Sequence, residues 1–457
     1  MLSSALKQEL RASILLSVPL AAAQIAQAAT GFVDTVMMGW MGPKSLAAGG
    51  LGAALASLLL VTGFGLTTSV TALGAEAIGS QDRDRLSQVT IQGFIFCLGV
   101  SLLAAACLTS GEFILRWSGQ SLQTAHLAQS YLYPIAGGYF PALAFVMLRG
   151  IVSAIGSPRL PMGIALVGLG INAIGNYVLG FGKWGAPPLG LAGLAIATSG
   201  TQWFMLISLI IAIQSLPKLR SFGLFDRAML PWTAGQAWIN GKLLTELIQL
   251  GWPTGLSFAA EVGLFSVTTI LMGRLGTEVL AAHQVVFQTI AIMFMLPLGV
   301  SYATTIRVGQ GVGEGNLPAI RRSAMVGMIL GGSIMALNAW VILTVPRSVI
   351  GLYLDLSNPA HQALVPIATS MFVIAAIAQI LDGIQTTAAG ALRGLQDTRI
   401  PMLISFVTFW GLGLASGIAL GFGLGWGGVG LWMGQSIGIL AACVGFVWRI
   451  VHLTRLS

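Results

Sequence analysis

Residues 18–48, VPLAAAQIAQAATGFVDTVMMGWMGPKSLAA, lie without a gap on residues 252–282, WPTGLSFAAEVGLFSVTTILMGRLGTEVLAA. At a constant offset of 234, Pro19 meets Pro253, Thr35 meets Thr269, Gly39 meets Gly273, Gly42 meets Gly276 and Leu46 meets Leu280; farther on, Gly65 meets Gly299 and Gly79 meets Gly313. An offset of 240 then brings Arg159, Pro161 and Met162 onto Arg399, Pro401 and Met402. Pro and Gly constrain the backbone wherever they stand, so their shared register marks a duplicated unit. Both copies are strongly apolar, and the next question is what solvent surrounds them.

Of 457 residues, 56% are hydrophobic and 8% charged, with a mean hydropathy of +0.87. A soluble domain carries about 25% charged residues. The chain therefore belongs in lipid, where its 60 glycines suit close helix–helix packing. The net charge of +8 comes from basic residues scattered singly between apolar blocks. That pattern fits loops at an anionic membrane surface and not a nucleic-acid partner. Cys97, Cys107 and Cys443 all sit inside apolar runs without metal-ligand spacing, as small core hydrophobes would. The first apolar stretch follows Lys7 and Arg11, contains Pro19, and is too long for a signal-peptide core. It reads as a retained span.

Stretches able to cross about 30 Å of hydrocarbon fall near residues 13–38, 46–75, 88–108, 131–150, 160–182 and 190–214, then 247–272, 280–306, 322–344, 364–388, 400–421 and 428–449. The expected fold is an all-α integral membrane protein with twelve transmembrane helices in two pseudo-symmetric six-helix bundles. An N-terminal lobe (1–214) joins a C-terminal lobe (246–457) through a cytoplasmic connector (215–245). Six spans per repeat is an even number, so the copies are parallel, related by an axis along the membrane normal. Of 22 Lys and Arg, five (Lys44, Arg116, Lys183, Arg274, Arg347) fall on the side away from the termini and the remaining 17 on the terminal side. The positive-inside rule then makes both termini cytoplasmic.

Of fourteen acidic residues, three (Asp34, Glu261, Asp382) fall inside spans. An ionised carboxylate at such depth is costly and usually functional. In the first span Gln24, Gln27, Thr30 and Asp34 follow helical spacing; in the tenth, Gln379, Asp382, Gln385 and Thr386 do the same; in the seventh, Ser257, Glu261 and Thr268 share a face. Glu261 aligns with Gln27, so the repeats share a polar site but not its charge. Arg149 and Arg393 read as cytoplasmic span ends, leaving no intramembrane cation to neutralise the acids. Two such carboxylates in one pocket hold a proton or a small cation such as Na⁺ between them.

Asn172 and Asn176, one turn apart, are further cavity-lining candidates; His283 and Gln284 open the eighth span, and Met37, Met38, Met293 and Met295 offer an adaptable wall. Glu76 and Glu278 read as solvated groups near the interfaces. Pro19, Pro253 and Pro297 are candidate hinges. No HExxH motif, Ser/His pair or facing aspartate pair is present to make an intramembrane enzyme, and a passive channel fits poorly with a duplicated scaffold carrying asymmetric acids. An exporter or flippase of lipid-linked or other amphiphilic substrates remains the alternative, although a phosphate-binding cavity would be basic.

The stretches GFVDTVMMG (31–39), AAEVGLFSV (259–267), AAHQV (281–285), IRVGQGVGE (306–314) and QILDGIQTTAAGALRGLQDT (379–398) resemble the NorM branch of the multidrug and toxic compound extrusion (MATE) transporters, as does GINAIGNYVLGFGKWGAPPLGLAGLAIAT (170–198). The resemblance runs through nearly the whole chain. It implies a monomeric multi-pass protein of the bacterial inner membrane, with a central cleft between two six-helix lobes. It further implies export of small organic cations in exchange for inward H⁺ or Na⁺, with no cofactor. By this likeness Glu261 and Asp382 are the cation-coordinating pair, and Asp34, with Gln24 and Gln27, the proton- or substrate-linked group of the first lobe. One position departs: where many relatives carry an aromatic residue one turn before the span-ten acid, this chain has Ala378, which leaves Na⁺ less favoured as the coupling ion.

Overall fold

The computed structural model describes residues 4–226, 239–354, 356, 362 and 364–456. Among them twelve helices are long and apolar enough to cross a membrane. They are α1 (Ser4–Trp40), α2 (Pro43–Gly79), α3 (Arg83–Thr109), α4 (Leu122–Ala154), α5 (Arg159–Gly180), α6 (Leu191–Ser215), α7 (Gly241–Leu275), α8 (Thr277–Gly313), α9 (Leu317–Thr344), α10 (Leu364–Gly394), α11 (Arg399–Gly423) and α12 (Gly427–Arg455). Helices satisfy their own backbone hydrogen bonds, which lipid cannot do. Several run a turn or more beyond the apolar stretch, as local chemistry dictates. Asp82 caps α3 through Arg85 N–H, Ser121 caps α4 through Thr124 N–H and Asn316 caps α9 through Ala319 N–H. The turns α1–α2 and α7–α8 pivot on the aligned Gly42 (φ 106°) and Gly276 (φ 126°), a conformation L side chains resist. Short helices Gly111–Trp117 and Pro346–Ile350 follow α3 and α9. The middle of the expected connector, 227–238 with Arg227, lies outside the described residues.

Two compact units form, one of Ala22–Gly255 and one of Leu256–Ser457 together with the chain up to Ala21. Their limits fall inside α1 and α7, two residues past the aligned Pro19 and Pro253, and not in the connector. In the first unit α4 is central, packed by α2, α3 and α6; in the second α10 takes the same place among α8, α9 and α12. The N-terminal part of α7 lies on α2, where a Cβ on Gly65 would stand 2.8 Å from Gly255 Cα; the N-terminal part of α1 lies on α8, where a Cβ on Gly299 would stand 2.6 Å from Ala21 Cα. These crossings are equivalent under the repeat, and each requires glycine.

Both packed ends are pinned by charge. Arg307 of α8 forks onto Glu9 of α1 (Nε–Oε1 2.9 Å, Nη2–Oε2 2.7 Å) and Ser323 of α9 donates to the same carboxylate at 2.8 Å. Arg85 of α3 bridges Glu76 of α2 at 3.3 Å and Glu246 of α7 at 3.2 Å. Glu76, read above as solvated, is thus an ion-pair partner. Cys97 and Cys443 are buried as expected, whereas Cys107 is exposed on the apolar surface. Met37 and Met38 are packed in the core of the first unit instead of forming a ligand-contacting wall, with Met38 filling the space beside Gly49.

Candidate functional site

In the first repeat, α1 presents Asp34 to α5 and α6. Asn176 donates Nδ2–H to Oδ1 at 2.6 Å and Thr198 donates its hydroxyl to Oδ2 at 2.9 Å. Asn172 closes the ring, accepting from Asn176 at 3.2 Å and donating to Thr198 at 2.9 Å. Asp34 is 4% exposed, and Asn172 and Asn176 are fully buried. The helix α5 changes to π-helical winding at Asn176–Gly180, an extra-residue bulge of the kind that clusters at functional sites. Sequence spacing placed Asn172, Asn176 and Asp34 on polar stripes but gave no sign that they meet, or that Thr198 joins them. Gln24 Oε1 and Gln27 Nε2 are buried without a hydrogen-bond partner among the described residues.

In the second repeat, Glu261 (α7) and Asp382 (α10) come within electrostatic range of one another. Asp382 is 8% exposed, and one turn later the Thr386 hydroxyl donates to Gln385 Oε1 at 3.5 Å. Gln379, one turn earlier on α10, is 2% exposed, and neither end of its amide has a partner among the described residues. Gln385 is buried, Ser257 is half-buried and Ala378 is packed at 4% exposure. The α11 winding is π-helical over Phe406–Leu414 and Ala419–Gly423; from it Trp410 donates Nε1–H to Ala260 O at 3.1 Å, beside Glu261. Among the described residues no three His, Cys, Asp or Glu gather as a metal-ligand set.

Three expectations are corrected. Arg393 stands in the last turn of α10, at the span end as expected, but it is 7% exposed and interacts electrostatically with Glu261, so the acids do have a cation within range. Arg149 is buried within α4 in the same way, at 3% exposure. The tripeptide Leu-Arg-Gly at 148–150 and again at 392–394 was the signal that could have found both. His283 does not open α8 but lies two turns inside it, fully buried, its Nε2 at 3.0 Å from the Thr269 hydroxyl and its ring between Phe287 and Trp432. Its neighbour Gln284 is exposed.

The duplication extends into the sites. Thr268 stands where the repeat places Asp34, and Gln435 of α12 donates to it at 2.7 Å, as Thr198 of α6 donates to Asp34. The close approaches of Gly193 to Gly180 and of Gly430 to Gly421 align the helices around them, which puts Thr198 opposite Gln435 and sets Gly413 and Gly417 in the places of Asn172 and Asn176.

A duplicated twelve-span helical membrane protein, with buried carboxylates in both repeats, has the architecture of secondary transporters. The MatE family model matches residues 19–178 and 253–418, and the chain belongs to that family, on its NorM branch. It is 43% identical over 97% of its length to a probable multidrug resistance protein NorM of Synechocystis sp., covering 95% of that protein, and 36% identical over 97% of its length to the multidrug resistance protein NorM of Burkholderia vietnamiensis, covering 93%. Among solved structures, a MATE transporter in a bent conformation superposes with a TM-score of 0.86 at 18% identity, covering 100% of this chain and 99% of that one. The eukaryotic MATE transporter AtDTX14 superposes at 0.84 and 19%, covering 98% and 96%. At such identities the structures establish the fold.

Proposed function

We propose that the protein exports lipophilic organic cations in exchange for inward H⁺ or Na⁺, with Glu261 and Asp382 as the shared cation site and Asp34 as a second polar site. The observation that carries this reading is the approach of two carboxylates in mid-helix; one turn before Asp382 stands an amide, Gln379, that has no partner among the described residues. Multidrug resistance in the names of the NorM relatives supports the same cargo, and the acidity of the site argues against an anionic phosphate-bearing substrate. The distribution of Lys and Arg supports cytoplasmic termini.

The cycle follows from charge. Open to the outside, Glu261 and Asp382 release the organic cation and take up H⁺ or Na⁺, since two like charges so close in mid-membrane cannot stay uncompensated. Neutralisation removes the penalty for enclosing the site and favours closure toward the outside. Open to the cytoplasm, ion release restores the negative charge and selects the next cation. One inward charge contributes about 2.3 kcal/mol per 100 mV of membrane potential, and a monovalent drug cation leaving in exchange cancels that contribution unless more than one charge enters. Ethidium uptake into everted vesicles, the direction that export takes there, under imposed H⁺ or Na⁺ gradients tests the reading. Glu261→Gln and Asp382→Asn each abolish gradient-driven efflux while insertion is unchanged; near-normal efflux by both rejects it.

A further inference from the structure

Arg393 is the unexplained charge. Its guanidinium donates Nη2–H to Ser301 Oγ of α8 at 2.7 Å, and Ser301 in turn donates to Thr386 O of α10 at 2.5 Å. Its Cζ lies 5.6 Å from the ring centroid of Phe258 on α7, a cation–π distance. Its Nε–H has no hydrogen-bond partner among the described residues, and none of the ion pairs among those residues uses it. Phe258 precedes Glu261 by one turn, and Thr386 follows Asp382 by one turn. The cation is therefore seated on the two helices that carry the acids, through neutral groups, and left without a carboxylate in contact. A buried charge so placed is costly unless opposite charge lies within range; the groups within electrostatic range are Tyr302 and the carboxylate of Glu261.

We infer that Arg393 is a fixed counter-charge that cancels one of the two negative charges of Glu261 and Asp382, so that one monovalent cation, inorganic or organic, completes neutralisation of the site. This rests on the antiport reading above and deepens it. Arg393 is a positioning residue: it touches neither ion nor cargo, but it sets how many charges the site takes. One monovalent ion entering for one monovalent drug leaving moves no net charge through this site. A dication leaving would move charge outward.

The test uses full-length protein in liposomes. Arg393→Met leaves two uncompensated negative charges, so each ethidium exported is matched by one more imported ion than in wild type. The Hill coefficient for the coupling ion rises from about 1 to about 2, and transport gains a dependence on an imposed valinomycin–K⁺ potential that wild type lacks or shows more weakly. Preference for a dicationic over a monocationic substrate rises by about tenfold. Arg393→Lys, which keeps the charge and loses the fork, behaves as wild type in all three. An inserted Arg393→Met with wild-type Hill coefficient and voltage dependence overturns the inference. Equilibrium ethidium binding gives an arm that needs no ion coupling. The double variant Glu261→Gln/Arg393→Met again carries one negative charge and binds ethidium about tenfold more tightly than Glu261→Gln alone; equal or weaker binding overturns the inference. Wild type that shows no ion-driven efflux would reject the antiport reading, and this binding comparison would still decide the role of Arg393.

Discussion

Asp34 and the pair Glu261/Asp382 occupy two copies of one scaffold and are treated differently by it. In the first copy a single carboxylate has both oxygens bonded, inside a ring of Asn176, Asn172 and Thr198. In the second, the equivalent crossing survives as a neutral Gln435–Thr268 bond, glycines replace the two asparagines, and the charge has moved two turns along α7, from the Thr268 level to Glu261. There it comes within electrostatic range of Asp382 and of a buried arginine, Arg393. The duplication kept the helix contacts and exchanged the side chains upon them. A closed ring satisfies its own charge; the pair, on the reading proposed above, is satisfied by an ion or cargo that comes and goes.

The comparison can be broken at several points. The largest effect falls on the open pair: Glu261→Gln lowers ion-driven efflux by more than about 100-fold, equivalent to roughly 3 kcal/mol of lost interaction, read as ethidium efflux in liposomes. Asp34→Asn lowers it less, because an amide at that position still accepts from Thr198 and its loss leaves the open pair intact; the same assay ranks the two. Asn176→Leu strips one partner from a buried carboxylate and costs about 2 kcal/mol of stability, measured by thermal unfolding in detergent. Gln435→Leu, at the neutral counterpart, costs about 1 kcal/mol. The double variant Thr268→Val/Gln435→Leu removes both partners at once and is the smallest change, close to wild type in melting temperature.

Much of this was legible in the sequence because lipid leaves few options. Span lengths follow from hydrocarbon thickness, and a carboxylate in a span draws attention by its cost. What was not legible depended on where helices end and which faces meet. Arg393 is legible as a span end, but nothing in its spacing showed that the last turn of α10 is buried and within electrostatic range of Glu261. His283 looked like a helix start because Thr277 was not seen to begin α8. Glu9 gave no sign of its fork with Arg307, since the partners lie 298 residues apart. The π-helical winding of α5 and α11 leaves no periodicity to read, and it helps decide which residues of those helices reach the sites.

Equilibrium competition in detergent tests the central claim most directly, that one site is shared by ion and cargo. Ethidium affinity for the purified protein is measured as Na⁺ is raised and, separately, as pH is lowered. Competition predicts an apparent Kd that climbs in proportion to the coupling ion once its own affinity is exceeded, with this dependence flattened in Asp382→Asn. Ethidium binding indifferent to both Na⁺ and H⁺ in the wild type contradicts the claim.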